Sequence, residues 1–520
     1  MLAGRSVQPV EALWQTTRSR SHGAVQAVRV AMHQLGFESL IASRSSAERD
    51  AVCAMVAARV LSAHTKLATT RWWHTTTLAE EYGVLETDEA DLYAAMDWLL
   101  ERQGQIQKKL AARHLSEGGL ALYDLSSSYF EGTCCPLAKI GYRRDGKRNT
   151  LQVNYGLLTT RAGCPVAISV YAGNTADAST LMPQVTQLRE QFGLERLVLV
   201  GDRGMISHKA IGTLRSLDGL AWITALKSSQ IRALVQGGTL QLGLFDERNL
   251  FEFSHPDFPA ERLMACRNID LGKLRAHKRE ALLAATEKEL AKICARIDSG
   301  TLAGRDKIGV KVGKVVNKYK VAKHFALTIE EAHFEFQRLE NQIAAEAALD
   351  GLYVIRTSVP RQQMSSAEAV RSYKALAEVE RAFRSMKTID LHIHPIHHHL
   401  EGRVRAHILL CMLAYYVEWH MREAWRELMF ADQDLKAKKQ RDPLAAAERS
   451  ATALEKVTRR TLTDGSPVHS FRTLLDELST IVRNTCETRV GPRSGSSFQM
   501  TTTPSPPQHR ALQLLQSITV

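Results

Sequence analysis

The sequence predicts a mixed α/β protein with a helical N-terminal region, and three observations carry that expectation. First, short runs rich in β-branched and aromatic residues at 120–126, 151–159, 166–171, 196–200 and 221–226 are bounded by glycine or polar turns, as strands are. Second, helical periods at 178–191 and 207–217 flank the fourth run, so the order is three strands, helix, strand, helix, strand, which makes a mixed sheet. Third, residues 1–115 ahead of the strands carry helical signals.

Within that N-terminal region, 23–40 places Val25, Val28, Ala31, Met32 and Leu35 at helical spacing. Ser45 followed by Glu48 predicts a capping box for a helix through residue 60. A third helix is expected from about Thr87 through Leu110, with Asp88 and Glu89 in the first turn, where the helix dipole favours acids. Leu78 to Val84 fits either an ordinary helical corner or the first helix and turn of a helix-turn-helix. Trp72, Trp73 and Trp222 read as core residues.

Beyond the fifth strand the alternation of strand and helix stops. Residues 273–297 read as an amphipathic helix burying Leu283, Leu290, Ile293 and Ile297. Residues 308–316 alternate like a strand among Lys307, Lys311, Lys314, Lys318, Lys320 and Lys323. Those lysines suit a solvated strand face and a phosphate-tracking one equally. The span 228–350 is therefore expected to be an insertion, followed by a helix at 373–387, a His-rich turn, and an apolar helix at 404–421. A charged helical region to about 460, a helix at 470–484 and a flexible Ser/Thr/Pro/Gly-rich tail at 491–507 complete the chain. This gives five expected segments: 1–115, a helical domain suited to DNA binding; 116–227, the first part of the core; 228–350, the insertion; 351–430, the rest of the core; and 431–520, a helical C-terminal region with its tail.

At 520 residues the chain is long enough for about two to four domains. Its net charge of +13 and pI of about 9.3 favour an anionic polymer or surface as partner. No apolar run approaches the ~18 residues of a spanning helix, and the ten residues 408–417 stop at Glu418, as a buried helix would. Eight cysteines lacking CxxC spacing argue for a reduced, cytoplasmic compartment and against structural zinc; Cys134 and Cys135 read as a buried or turn pair.

The chemistry is concentrated in three acids. Asp124 lies inside the first expected strand, Asp202 follows the fourth, and Glu380 lies on the helix 373–387. On that helix Tyr373, Glu380 and Lys387 are seven apart, which returns each to within about 20° of the last, so phenol, carboxylate and ammonium share a face. Glu380 and Arg384 also form the i,i+4 pair of an ordinary exposed helix. Three converging carboxylates repel one another unless divalent cations share them, and magnesium suits such an all-oxygen site. Two ions ~3.5–4 Å apart can stabilise both the attacking and the leaving oxygen of a phosphoryl displacement.

These residues resemble a known family. Tyr373, Glu380 and Lys387 match the Tyr-x2-Arg-x3-Glu-x6-Lys signature of insertion-sequence DDE transposases of the IS-four superfamily. The segments 123–132, 173–177, 201–205 and 379–388 are similar to that group's motifs, and the similarity covers most of residues 20–430. The resemblance implies an RNase H-like core, interrupted before its last acidic helix, that cuts and joins DNA at transposon ends. It puts Asp124, Asp202 and Glu380 in the place of the metal-binding triad, with two Mg²⁺ ions or Mn²⁺ in their stead. It puts Tyr373 and Lys387 at DNA phosphates, with Arg203 beside the second acid. A homodimer bridging two double-stranded ends and a target duplex, in the cytoplasm at a prokaryotic nucleoid and away from membranes, follows from the same likeness.

Two positions depart from the pattern. Leu376 occupies the signature's Arg position, leaving Arg384 on a nearby face to supply that contact, and His394 stands where relatives carry Arg. Many relatives also carry a further N-terminal module, so a shortened copy is one expectation. His392, His394, His397, His398 and His399 lack an i,i+4 pair and surround Pro395, which argues for polar, phosphate-facing roles, His398 included, over a metal site. Two other classes compete with the transposase: a transposase-derived repressor that binds DNA without cutting it, and an RNase H-like nuclease.

Overall fold

A computed structural model describes residues 13–142, 149–245, 249–434, 441–445, 448–489 and 495–520. The chain separates into two compact units. One comprises residues 1–222, 372–441 and 449–520; the other comprises 223–371 and 442–448.

In the first unit the sheet is built from β2 (Leu120–Tyr129), β3 (Gln152–Thr160), β4 (Pro165–Ala172) and β5 (Leu197–Val200); β1 (Trp14–Ser21) belongs to a separate sheet. β2, β3 and β4 form an antiparallel meander, and β5 lies parallel to β2 on its other side. β6 (Leu220–Ala225) is the next neighbour, so the order β4-β3-β2-β5-β6 is that of an RNase H-like sheet. Between β4 and β5 runs the helix Asp177–Thr186, and between β5 and β6 the helix His208–Arg215, capped by Ser207. Nearly every residue of β3 and all of β5 is buried, as expected of strands covered on both faces.

The N-terminal helices follow their predicted faces: Val25, Val28, Ala31, Met32 and Leu35 are all buried. The helix Ala47–Leu61 is capped by Ser46, one residue later than expected. The third helix is two, Glu89–Glu101 with an Asp88/Asp91 capping box and Gln103–His114, with Arg102 at the joint. Leu78–Glu81 is a single helical turn. Of the tryptophans, Trp73 and Trp222 are buried and Trp72 is half-buried. The helix Glu401–Ala424 is buried along most of its length, as its apolar run requires. No single described helix is long and apolar enough to cross a membrane. All eight cysteines are free, with Cys134 exposed and Cys135 buried.

The second unit contains the end of β6 together with β7 (Leu250–Phe253), β8 (Arg262–Arg267), the hairpin β9 (Phe325–Ile329) and β10 (Phe334–Arg338), and β11 (Leu352–Thr357). The long helix Ile269–Asp298 buries the expected Leu283, Leu290, Ile293 and Ile297. The strand expected at 308–316 is instead part of a helix, Arg305–Tyr319. Ile308 and Val312 are buried, with Val315, Val316 and Tyr319 packed beside them at helical spacing, whereas Val310, which completes the alternation, is 58% exposed. Packing against Leu290 and Ile293 therefore selects the 3.6-residue period.

The C-terminal region carries β-structure as well as helices: the helix expected at 470–484 is Phe471–Leu478, and 482–484 are already strand. β12 (Val482–Thr488) pairs with β1 on one edge and with β13 (Ser497–Thr501) on the other, so the expected flexible tail includes a paired strand, followed by the helix Pro506–Gln516. Part of that tail, 491–494, and parts of the charged region, 435–440 and 446–447, lie outside the described residues.

Candidate active site

β2 and β5 bring the first two acids to one level of the sheet. The last pair joining these parallel strands is Leu122 with Val200, and Asp124 and Asp202 each stand two residues beyond it. Residues two apart share a face, and neighbouring strands lie ~4.8 Å apart. A Cβ at Gly201 would press on the Ile206 side chain at 3.0 and 3.1 Å, so the turn after β5 packs closely on the segment leading to the next helix.

Each aspartate is half-buried. Asp202 Oδ1 accepts hydrogen bonds from the Gly204 and Met205 amides at 2.9 and 2.7 Å, which fixes the carboxylate at the start of the turn leading to the helix His208–Arg215. Asp124 Oδ1 accepts from the Leu125 amide at 2.8 Å.

The third acid lies on the helix Leu376–Arg384. Val379, Ala382, Phe383 and Met386 form its buried stripe, and the Phe383 ring meets Tyr155 of β3 at 5.8 Å between centroids. Glu380, Arg381 and Arg384 are exposed. The continuous helix expected at 373–387 is divided: Ser366–Lys374 ends, Ala375 accepts from the Glu378 amide three residues on, and Leu376–Arg384 restarts. Past Arg384 the turn widens to a π-helix at Ser385–Ile389, which carries Lys387. The seven-residue spacing of Tyr373, Glu380 and Lys387 thus spans two changes of helical winding. No breaker residue announces them.

Tyr373 nevertheless lies within electrostatic reach of the acids. Burial pushes its phenol up to about 12, and Asp202, Asp124 and Glu380 push the same way while Arg203 opposes them. Arg203 itself is exposed and Lys387 half-buried. Leu376 is half-buried at the restart of the helix. His394 packs its ring on Tyr129, 4.7 Å between centroids.

His398 is placed in other company. Its ring packs edge-on against Tyr93 and lies 5.1 Å from His407, and burial with the nearby Lys66, Arg59 and Arg403 charges pulls it down to about 3. It is a neutral imidazole among cations.

Sequence reasoning missed what holds the π-turn. Ser385 Oγ is 2.8 Å from both Asp390 Oδ2 and Glu418 Oε1, and Arg422 donates to the same two carboxylates. The signal available was Glu418, the charge ending the apolar run, with Arg422 one turn on.

A family model described as Transposase DDE domain matches residues 138–417, more than half of the chain. The chain belongs to the DDE transposase family. It is accordingly an enzyme of DNA transposition, acting on phosphodiesters by hydrolysis and transesterification, and the repressor and nuclease readings are not favoured. The family depends on divalent metal. The match takes in Asp202 and Glu380 and begins beyond Asp124, so the first acid rests on the register with β5. No curated protein matches the transposase. Among solved structures, a piggyBac transposase synaptic complex with hairpin DNA is 8% identical at a TM-score of 0.37, covering 88% of this chain and 76% of that one. A Mos1 transposase paired-end complex with left transposon end is 12% identical at a TM-score of 0.15, over 35% of this chain and 65% of that one. Likenesses this distant carry no argument about the transposase.

Proposed function

We propose that this transposase is of the IS-four kind, that it binds the inverted ends of an insertion sequence, and that it cleaves and joins DNA with Asp124, Asp202 and Glu380. The observation that carries the assignment is the common level of Asp124 and Asp202 on adjacent parallel strands, with Glu380 acting on the same phenol as both. Two half-buried aspartates and an exposed glutamate, all oxygen donors, suit two Mg²⁺ ions, for which Mn²⁺ substitutes. Bound there, the ions would activate a water or a 3′-hydroxyl and neutralise the departing 3′-oxygen.

The protein's own part is to hold the strand. The Asp202 turn, tied by two backbone amides, presents a carboxylate whose position does not depend on a flexible side chain. Tyr373, whose raised phenol keeps its proton at neutral pH, donates a hydrogen bond to a phosphate oxygen beside the acids. Lys387, Arg203 and Arg384 supply positive charge around it, with Arg384 replacing the signature arginine lost at Leu376. Beyond the acids, the exposed Lys307, Lys311, Lys314 and Lys318 line one face of the helix Arg305–Tyr319, a spacing suited to successive phosphates. Residues 1–115 supply further DNA contacts, His398 contributes at its edge, and a homodimer brings two ends together, in a prokaryotic cytoplasm at the nucleoid.

The test uses DNA carrying the element's inverted repeats. With Mg²⁺ the protein should nick and join it, while Asp124→Asn, Asp202→Asn and Glu380→Gln each abolish chemistry and leave binding within a few-fold. Cleavage surviving any of the three substitutions rejects that residue's assignment.

A further inference from the structure

Besides the three acids, a second set of metal-ligating side chains from distant parts of the chain meets. His114 ends the helix Gln103–His114, Cys164 directly precedes β4, and His420 lies on the helix Glu401–Ala424. One ligand atom from each lies within 4.8 Å of the others, and Cys164 Sγ is 3.9 Å from His420 Nε2. The two imidazole centroids are 5.6 Å apart. In a tetrahedral site with metal–sulfur bonds of ~2.3 Å and metal–nitrogen bonds of ~2.0 Å, ligand atoms are separated by about 3.3–3.5 Å. Closing this set requires side-chain shifts on the order of 1 Å.

We propose that His114, Cys164 and His420 bind a borderline-soft divalent ion of the zinc class, at a three-ligand site that shares no residue with the three acids. Thiolate and imidazole ligands select such ions over magnesium, which prefers oxygen. Burial pulls His420 down to about 3 and His114 to about 4, so each offers the neutral lone pair a metal needs. Burial also pushes the Cys164 thiol up, so without metal it keeps its proton. Binding exchanges that proton for the ion: Cys–SH and M²⁺ give a Cys–S–M⁺ unit and one H⁺, released to water. Nearby Glu423 adds negative potential at the sulfur. Tyr416, with its hydroxyl 3.0 Å from His114 Nε2, holds that ring, and the half-exposed His114 leaves a way in for the ion and a fourth, water ligand.

Such an ion would tie the end of the N-terminal helical region, the start of β4 and the helix Glu401–Ala424 together. These residues are 50 and 256 positions apart, which is why spacing rules for zinc ligands find nothing here.

The full chain, stripped of metal and titrated with Co²⁺, tests the site. One equivalent should produce tetrahedral cobalt bands with a thiolate-to-cobalt charge-transfer band, Zn²⁺ should bleach them, and Zn²⁺ should raise the melting temperature. Cys164→Ser should lose the charge-transfer band, and His114→Ala should weaken binding at least tenfold, while Cys134→Ser changes neither. If Cys164→Ser fails to fold, the wild-type spectrum and His114→Ala still decide. Absence of a thiolate band at several equivalents, or its survival in Cys164→Ser, overturns the proposal and leaves three neutral side chains packed together. Magnesium at the three acids gives no such band, so that result leaves the transposase assignment intact.

Discussion

Arg422 donates from Nε to Glu418 Oε1 at 2.6 Å, one turn back along the same helix, and from Nη2 to Asp390 Oδ2 at 2.9 Å. Glu418 is fully buried, and its second oxygen has no hydrogen-bond partner among the described residues. Burial pushes the Glu418 carboxyl up to about 7 against the pull of Arg422, so removing the guanidinium leaves the carboxyl to protonate and costs the charge-assisted hydrogen bonds; Arg422→Ala should destabilise by about 2–3 kcal/mol, measured by denaturant unfolding. Ser385→Ala, which keeps the ion pairs, should cost only about 1 kcal/mol. In DNA cleavage it should lower kcat more than it raises KM, because the π-turn carrying Lys387 loses its anchor. A KM effect alone would count against that anchoring.

Asp202 has two separable tasks. Asn keeps an oxygen for the Gly204 and Met205 amides, and Ala does not. Asp202→Ala should therefore be less stable than Asp202→Asn by about 1–2 kcal/mol, although both abolish cleavage. Equal melting temperatures would show that the turn does not depend on the carboxylate.

Leu376→Arg restores the signature residue one turn before Glu380. Added to the DNA-facing side of the helix, it should tighten binding and steepen the dependence of log affinity on log salt by about one phosphate contact. An unchanged slope would mean that position 376 faces away from the DNA.

Lys66 lies in the protein interior and burial pulls it down to about 7, with Arg59 pushing the same way. His398 and His407 also face it, both neutral by burial, as does the Cys411 thiol. Between pH 7 and the lysine's usual 10.5 the unfolded chain carries a proton that the folded one lacks, so stability should rise with pH across that window and fall as pH drops toward 7. Lys66→Met should flatten this slope and stabilise the protein by about 2–4 kcal/mol at pH 7. Thermal melts of both proteins from pH 7 to 10 measure it.

The strands of the core and the helix faces were legible because burial leaves a period: Val379, Ala382, Phe383 and Met386 mark the inner side of their helix. Asp124 and Asp202 could be named from motif and strand position. Their common level could not, since it depends on how β2 and β5 pair. The 308–316 segment misled because two periods coexist there, and only the neighbours Leu290 and Ile293 decide between them. The break at Ala375 and the π-turn at Ser385 were invisible because no residue type forces them. The Ser385, Asp390, Glu418 and Arg422 network joins residues whose relation exists only after the two helices meet.

Pairing between β2 and β5 also sets what this fold can tolerate. Asp124 and Asp202 are 78 positions apart, with β3, β4 and a helix between them, and that number has no bearing on how close the two carboxylates come. A loop lengthened between β4 and β5 would leave the acids where they are. One residue inserted between Val200 and Asp202 would turn the second acid to the opposite side of the sheet. Evolution of such chains is therefore free in length across most of this region and confined to a two-residue step at its end.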